Sequence, residues 1–241
     1  MTEAPPFPAA ALDAAGLNRQ HLFDLAALPD TLRATLGDTT GFSQLLLIGH
    51  GGRRLWECVQ ASKIGGSDPI DDYTRQTLAE WFARELPGSD YRILYPGETP
   101  VGLQALGDLA GWHHPTPFRV GIDSEWGSWF AYRAAVLCTT PFSAFFRVHR
   151  APQEVPLGDS SPCASCDGRP CVTSCPAQAL AGEEFDLDAC LHWRMAPAST
   201  CADTCRARLA CPVGAEHRYD AAQIRHSYGR SLEMLRHYLK R

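Results

Sequence analysis

Hydrophobic and polar positions recur along this chain with several different periods, and each period predicts an element. In residues 1–40 the apolar positions of LNRQHLFDLAALPDTLRATLG fall at helical spacing, which predicts helix. Gln44–Ile48, in QLLLIGHGG, is a short apolar run closed by glycine and reads as a buried strand. SDPIDDYTRQTLAEWFARELPG is the clearest helix. Asp68 can cap it, Pro69 suits its first turn, and Asp71 and Asp72 favour the positive end of the helix dipole. Tyr73, Thr77, Trp81 and Leu86 form its apolar stripe, and Pro87-Gly88 stops it. Tyr91–Tyr95 then reads as a strand, VGLQALGDLAGW as a helix, HHPTPF as a loop, and WFAYRAAVL as a strand leaving a glycine turn. From Asp220 to Arg241 an amphipathic helix places Ile224, Tyr228, Leu232, Leu235 and Leu239 inward, to pack back onto the body.

Helices and strands alternating over residues 1–145 predict an α/β or α+β domain. Around Ala151–Pro162 the composition turns Pro- and Ser-rich and marks a connection. The expected division is a domain over 1–150, a cysteine-rich subdomain over 151–219, and the helix of 220–241. With 241 residues and 45% hydrophobic content, the chain can bury a sizeable core. A net charge of −5 argues against a general nucleic-acid binder, which carries a basic surplus. The basic residues near the end (Arg225, Arg230, Arg236, Lys240, Arg241) read as a solvated helix face. No stretch reaches the roughly 18 apolar residues of a membrane span, and the start lacks the marks of a secretory signal. The expected compartment is the cytoplasm, where clustered cysteines mean metal more often than disulfide.

Cysteine placement changes the picture most. Cys58 and Cys138 stand alone among apolar neighbours and read as buried thiols, while the other eight lie between Cys163 and Cys211. The first group runs Cys163-x2-Cys166-x4-Cys171-x3-Cys175-Pro176, and the second Cys190-x10-Cys201-x3-Cys205-x5-Cys211-Pro212. A cubane needs four converging thiolates. In bacterial ferredoxins three come from a tight run and the fourth, before a proline, serves the other cluster. Two Cys-Pro endings and eight thiols fit two [4Fe–4S] clusters. Cys163, Cys166, Cys171 and Cys211 are assigned to one, and Cys175, Cys190, Cys201 and Cys205 to the other. A single cluster, structural zinc on the shorter spacings, and disulfides stand as alternatives. His113-His114 is a loop pair that could touch a cofactor but more often plays a surface role.

The cysteine arrangement resembles the C-terminal ferredoxin-like part of epoxyqueuosine reductases and, more distantly, of reductive dehalogenases. ACLHWRMA falls where epoxyqueuosine reductases carry the isolated cysteine between their two groups, which supports giving Cys190 to the second cluster. The N-terminal half resembles the cobalamin-processing CblC family, on SDPIDDYTRQTLAEWFARELPGSDYRILY and on GIDSEWGSWFAYRAAVL. Together these resemblances cover roughly residues 41–214. They imply an α+β fold: a nitroreductase-like cobalamin-binding domain followed by a bacterial ferredoxin-like two-cluster subdomain.

Read from its residues, GIDSEWGSWFAYRAAVL also suits a site. Gly127 permits close backbone approach to a flat ligand, Ser128 can donate a hydrogen bond, and Trp126, Trp129 and Phe130 offer apolar surface. A glycine turn feeding a buried strand is the plain alternative. The resemblance adds Arg133, at the place of the CblC arginine that helps bind a thiolate, as a contact for an anionic partner or a corrin side chain. One departure bears on function. Epoxyqueuosine reductases carry a catalytic aspartate where YPGETPV here has Gly97, with Glu98 beside it.

The expectation is an iron–sulfur, cobalamin-dependent oxidoreductase. It would pass single electrons to a bound corrinoid, for corrinoid reduction, upper-ligand removal or reduction of a small organic substrate. Its electron donor would be a ferredoxin or flavodoxin. The alternatives are a two-cluster carrier without corrinoid and an epoxyqueuosine-reductase-like enzyme. Flavin is a further candidate, but no phosphate-gripping motif surrounds Arg19 or Arg33.

Overall fold

The computed structural model describes residues 5–143 and 161–238, so most of the Pro- and Ser-rich connection lies outside it. Four strands, β1 (Arg19–Asp24), β2 (Gln44–Gly51), β3 (Tyr91–Tyr95) and β4 (Phe130–Cys138), form one antiparallel sheet in the order β1-β2-β4-β3. The helices are α1 (Ala10–Ala14), α2 (Asp30–Arg33), α3 (Arg54–Ser62), α4 (Pro69–Glu85), α5 (Leu103–Leu109), α6 (Pro170–Thr173), α7 (Leu187–Met195), α8 (Arg206–Ala210) and α9 (Ala221–Tyr238). Short 3-10 turns occupy Leu25–Ala27, Ala34–Leu36 and Ala215–His217. The chain divides into two compact units, one of residues 1–112 with 130–157, the other of 113–129 with 158–241.

In the first unit both faces of the sheet are covered, which explains its unbroken apolar runs. Leu46 and Ile48 of β2 face one way, with Leu22, Ala134 and Val136, against Leu12, Leu55, Val59, Leu78, Trp81 and Phe82 of α1, α3 and α4. Leu45 and Leu47 face the other way, with Phe23, Ala135 and Leu137, against Leu25, Leu36, Leu106 and Trp112. Every residue of β2 is buried, as the central position of the strand requires.

The helix expected across residues 17–37 is corrected. Arg19–Asp24 is a strand, paired through Leu22↔Leu46, and only short helical turns follow it. Its period-2 signal is masked because polar side chains are buried on it. Arg19 lies under Trp112 and Phe130, with guanidinium-to-ring distances of 4.6 and 4.7 Å. Gln20 donates to the Asp13 carboxylate at 2.9 Å. In α4, Asp68 holds the cap position without a side-chain cap hydrogen bond. The stripe that α4 buries is Thr74, Leu78, Trp81 and Phe82, so it is rotated from the one read in the sequence.

The division of the chain also differs from the expected one. Residues 113–129 group with the cysteine-rich segment, not with the sheet. Helix α9 belongs to that same unit. Its Ile224 and Tyr228 join Trp129, Tyr219 and Leu209 in one apolar cluster, whereas Leu239 lies outside the described residues. Among the described residues, no helix is long and apolar enough to cross a membrane.

Candidate metal centre

The cysteine-rich unit has little regular structure, and its local geometry is set by tight turns. The Cys166 N–H donates to the Cys163 carbonyl at 3.4 Å, and Ser161 Oγ accepts from the Cys163 N–H at 3.3 Å. Gly168 and Arg169 take left-handed backbone conformations (φ 70° and 38°), turning the chain into α6. Pro170 opens that helix, and its first turn carries Cys171. Cys175 follows the helix and Pro176 prevents its continuation. Helix α8 repeats the plan: Cys205 stands at its N-cap and Cys211-Pro212 at its end. Helices α6 and α8 pack on one another.

The eight thiols fall into two sets by their mutual electrostatic influence. Cys163, Cys166, Cys171 and Cys211 act on one another electrostatically, and so do Cys175, Cys190, Cys201 and Cys205. The cysteine before each proline therefore sits with the set begun by the other group. Burial, and after it the charge of neighbouring thiolates, pushes Cys163, Cys171, Cys190, Cys205 and Cys211 above the usual thiol range. Peptide N–H groups oppose this: Val172 on Cys171, Val213 on Cys211, and Ala207 and Arg208 on Cys205, whose sulfur accepts from the Arg208 N–H at 3.5 Å.

Such a donor set fits an iron–sulfur cluster. Crowded, partly buried thiolates repel one another until a cationic core neutralises them, and N–H donors aimed at the sulfurs stabilise the thiolate form. Among the described residues, no three His, Cys, Asp or Glu side chains approach closely enough to hold a single metal ion. A cubane spaces its ligands more widely. All ten cysteines are free thiols. Cys138 is fully buried in the first unit, which raises its thiol to about 12, and Cys58 is half-buried with its sulfur 3.5 Å from the Ala14 carbonyl.

Two arginines brace the second set, and reading the sequence for motifs passed over both. Arg194, one helical turn beyond Cys190, donates to the Cys201 carbonyl at 3.3 Å, to the Tyr228 carbonyl at 3.2 Å and to Ser231 Oγ at 3.3 Å. It thereby ties the ligand segments to α9. Arg208, three residues beyond Cys205, is buried. It donates to both the carbonyl and the hydroxyl oxygen of Ser128 and stacks over Trp129 (4.4 Å) and Tyr219 (5.1 Å). Both cations favour the thiolate form of their neighbours, Arg194 at Cys190 and Arg208 at Cys205. Burial pushes the Tyr228 hydroxyl up to about 12, so it stays neutral beside Arg208.

The residues expected to hold a corrin are divided. Gly127, Ser128 and Trp129 belong to the second unit, Phe130 and Arg133 to β4 of the first. At Gly127 the structure shows a close approach by another stretch of backbone. A Cβ there would lie 2.0 Å from the Val213 carbonyl oxygen, so the close approach is made by the backbone just after Cys211. Ser128 and Trp129 are fully buried and held by Arg208. Phe130 is covered by Arg19. Arg133 acts on Asp71 and Tyr95, and its buried Nε makes no hydrogen bond. His113 packs its ring onto Gly121, and His114 pairs with Ile122 through backbone bonds, so both support the loop that leads to Gly127. At Gly97, a Cβ would meet the Leu94 carbonyl oxygen at 2.6 Å, so this turn excludes a side chain; Glu98 beside it is exposed.

No family model and no curated protein matches the chain. Among solved structures it is similar to epoxyqueuosine reductase from Streptococcus thermophilus, with 12% identity and a TM-score of 0.46 over 84% of this chain and 64% of that one. It is similar to the epoxyqueuosine reductase of Bacillus subtilis, with 12% identity and a TM-score of 0.48 over 86% of this chain and 65% of that one. A third similar structure is an epoxyqueuosine reductase with an epoxyqueuosine-modified stem loop of tyrosine tRNA (16% identity, TM-score 0.49, 86% of this chain and 64% of that one). The chain spans less than two thirds of the length of each of these three.

Proposed function

We propose that this protein is an iron–sulfur oxidoreductase whose cysteine-rich unit holds two [4Fe–4S] clusters and passes single electrons through them. The observation that carries this is the exchange of the two Cys-Pro cysteines between thiol sets, the arrangement that places two cubanes side by side in a ferredoxin-like segment. Cys163, Cys166, Cys171 and Cys211 would hold one cluster, and Cys175, Cys190, Cys201 and Cys205 the other. When bound, the clusters supply one-electron transfer. The protein's part is to fix the thiolates, to direct peptide N–H groups at Cys171, Cys205 and Cys211, and to keep Arg194 and Arg208 beside the second set. These are the levers that set cluster potential.

The test is anaerobic reconstitution followed by iron analysis and low-temperature EPR of the reduced protein. About eight irons per chain and a spectrum of two interacting clusters are expected. Cys171→Ser and Cys175→Ser should each reduce the iron to about half, and the two variants should lose different EPR signals. Uptake of one tetrahedral ion per four thiols, with no signal on reduction, would overturn the reading.

A second reading, reduction of an epoxyqueuosine-type modified nucleoside, is favoured by the place of Cys190 with the second set. Gly97 stands against it, since a side chain at that position would meet the Leu94 carbonyl oxygen, and the carboxylate of this turn is instead the exposed Glu98. Incubating reduced protein and cob(II)alamin with an epoxyqueuosine-bearing tRNA stem loop decides between them. Conversion to queuosine establishes the second reading, and unchanged nucleoside leaves an oxidoreductase acting on another substrate.

A further inference from the structure

Electrons must enter a cluster from outside, and α7 carries Cys190, one of the half-buried cysteines of the second set. None of its residues is fully buried. Cys190 sits at its middle, and Leu187 and Trp193 lie three residues to either side, on the flanks of the same helical stripe. Leu187 is 56% exposed and Trp193 40%. Among the described residues only four large apolar side chains are this exposed, and these are two of them. Single apolar residues on a surface are ordinary. Two that bracket one cysteine on a helix of nine residues are a local concentration.

The approach to this pair, before and within the first turn of α7, is acidic, and His192 is the exposed basic side chain beside Trp193. Glu183, Glu184, Asp186 and Asp188 are all exposed just before and within the first turn of α7. The Asp186 carboxylate is fixed there by accepting the Ala189 N–H at 2.8 Å. Arg194 is turned inward and spent on Cys201, Tyr228 and Ser231. A second copy of this chain would bring like charges together at such a face. A basic partner would meet opposite ones.

We propose that this face of α7 is the docking surface for a small one-electron carrier protein whose redox centre is rimmed by basic residues. The proposal rests on the two-cluster reading. In the encounter one electron passes between the carrier's centre and the cluster on the second set, one being oxidised as the other is reduced; in the direction tested below the reduced cluster is the donor and the oxidised carrier the acceptor. Electron-transfer encounters need only small interfaces, so one tryptophan and one leucine suffice as the dry contact, while the carboxylates supply steering.

The test uses the full chain with both clusters reconstituted, reduced and verified by iron content and EPR; failure at that step would overturn the cluster reading, not the docking site. Reduced protein is mixed in a stopped flow with oxidised cytochrome c, a small carrier with a lysine-rimmed haem edge, and separately with a small neutral quinone. The cytochrome c rate should fall steeply with added salt. The variants Leu187→Ala/Trp193→Ala and Glu183→Gln/Glu184→Gln/Asp188→Asn should each slow it by about tenfold, with iron content and the quinone rate unchanged. Equal cytochrome c rates in the variants, or a parallel loss with quinone, would overturn the proposal. So would a dimer by sedimentation that Trp193→Ala dissociates.

Discussion

At the scale of single residues, the second thiol set depends on a buried cation. Arg208 bridges the backbone and side chain of Ser128 and lies over the Trp129 ring. Arg208→Met leaves those oxygens without their donor and should cost the cysteine-rich unit about 3 kcal/mol, read from denaturant unfolding followed by tryptophan fluorescence. Arg208→Lys should recover only part of it, because an ammonium cannot serve two acceptors and an aromatic face together. His21 offers a different test, in the sheet. It is buried against Phe23, at a ring distance of 4.2 Å, and burial holds its pKa at about 4 instead of 6.5. Between those values the unfolded chain binds the extra proton, so stability is intact above about pH 6.5 and declines by up to about 3 kcal/mol toward pH 4. His21→Phe should flatten that decline in urea midpoints measured from about pH 7 to about pH 4.5; an unchanged slope would assign it to other groups. The two cysteine groups were legible because eight residues of one type fall between Cys163 and Cys211. The arginines were not, because Arg208 acquires its meaning only from Ser128, 80 positions away.

At the scale of elements, the sequence was most readable where one period dominates. The runs behind β2, β3 and β4 and the length of α4 could be read from apolar spacing. β1 could not, because its buried positions include Arg19, Gln20 and His21, whose partners lie elsewhere in the fold. The turn around Gly127 was legible as a glycine requirement, while what it approaches was not. Asp123 Oδ1 accepts from the Glu125 and Trp126 N–H groups at 2.9 and 2.6 Å, and this turn delivers Gly127 against Val213. Gly214 is its counterpart: a Cβ there would lie 2.4 Å from the Trp126 carbonyl carbon. Both glycines have positive φ, at 57° and 62°. Gly127→Ala should therefore destabilise the cysteine-rich unit by at least about 2 kcal/mol. Its clearest sign would be loss of the Cys211-dependent half of the iron on reconstitution, with the sheet unit still folded by circular dichroism.

At the scale of the whole molecule, the chain joins a sheet unit, stabilised by two apolar layers, to a unit with two smaller apolar clusters, one of which includes its cysteines. The partition at 113–129 could not be read in advance. HHPTPF is as polar as any loop, and its allegiance rests on Ile122 and Phe118 packing with Cys171, Leu180 and Cys211. On the two-cluster reading, a unit whose core includes its own ligands would depend on metal for much of its stability.

The crossing of the two Cys-Pro cysteines has a consequence for biosynthesis. The second set is complete once Cys205 has left the ribosome, but the first lacks its fourth thiol until Cys211 follows. Cys171 waits through 40 residues of further translation, and Cys163 and Cys166 through more. On the two-cluster reading, a nascent chain cannot close the first cluster before Cys211 emerges, so the cluster begun first along the chain would be the last to be completed.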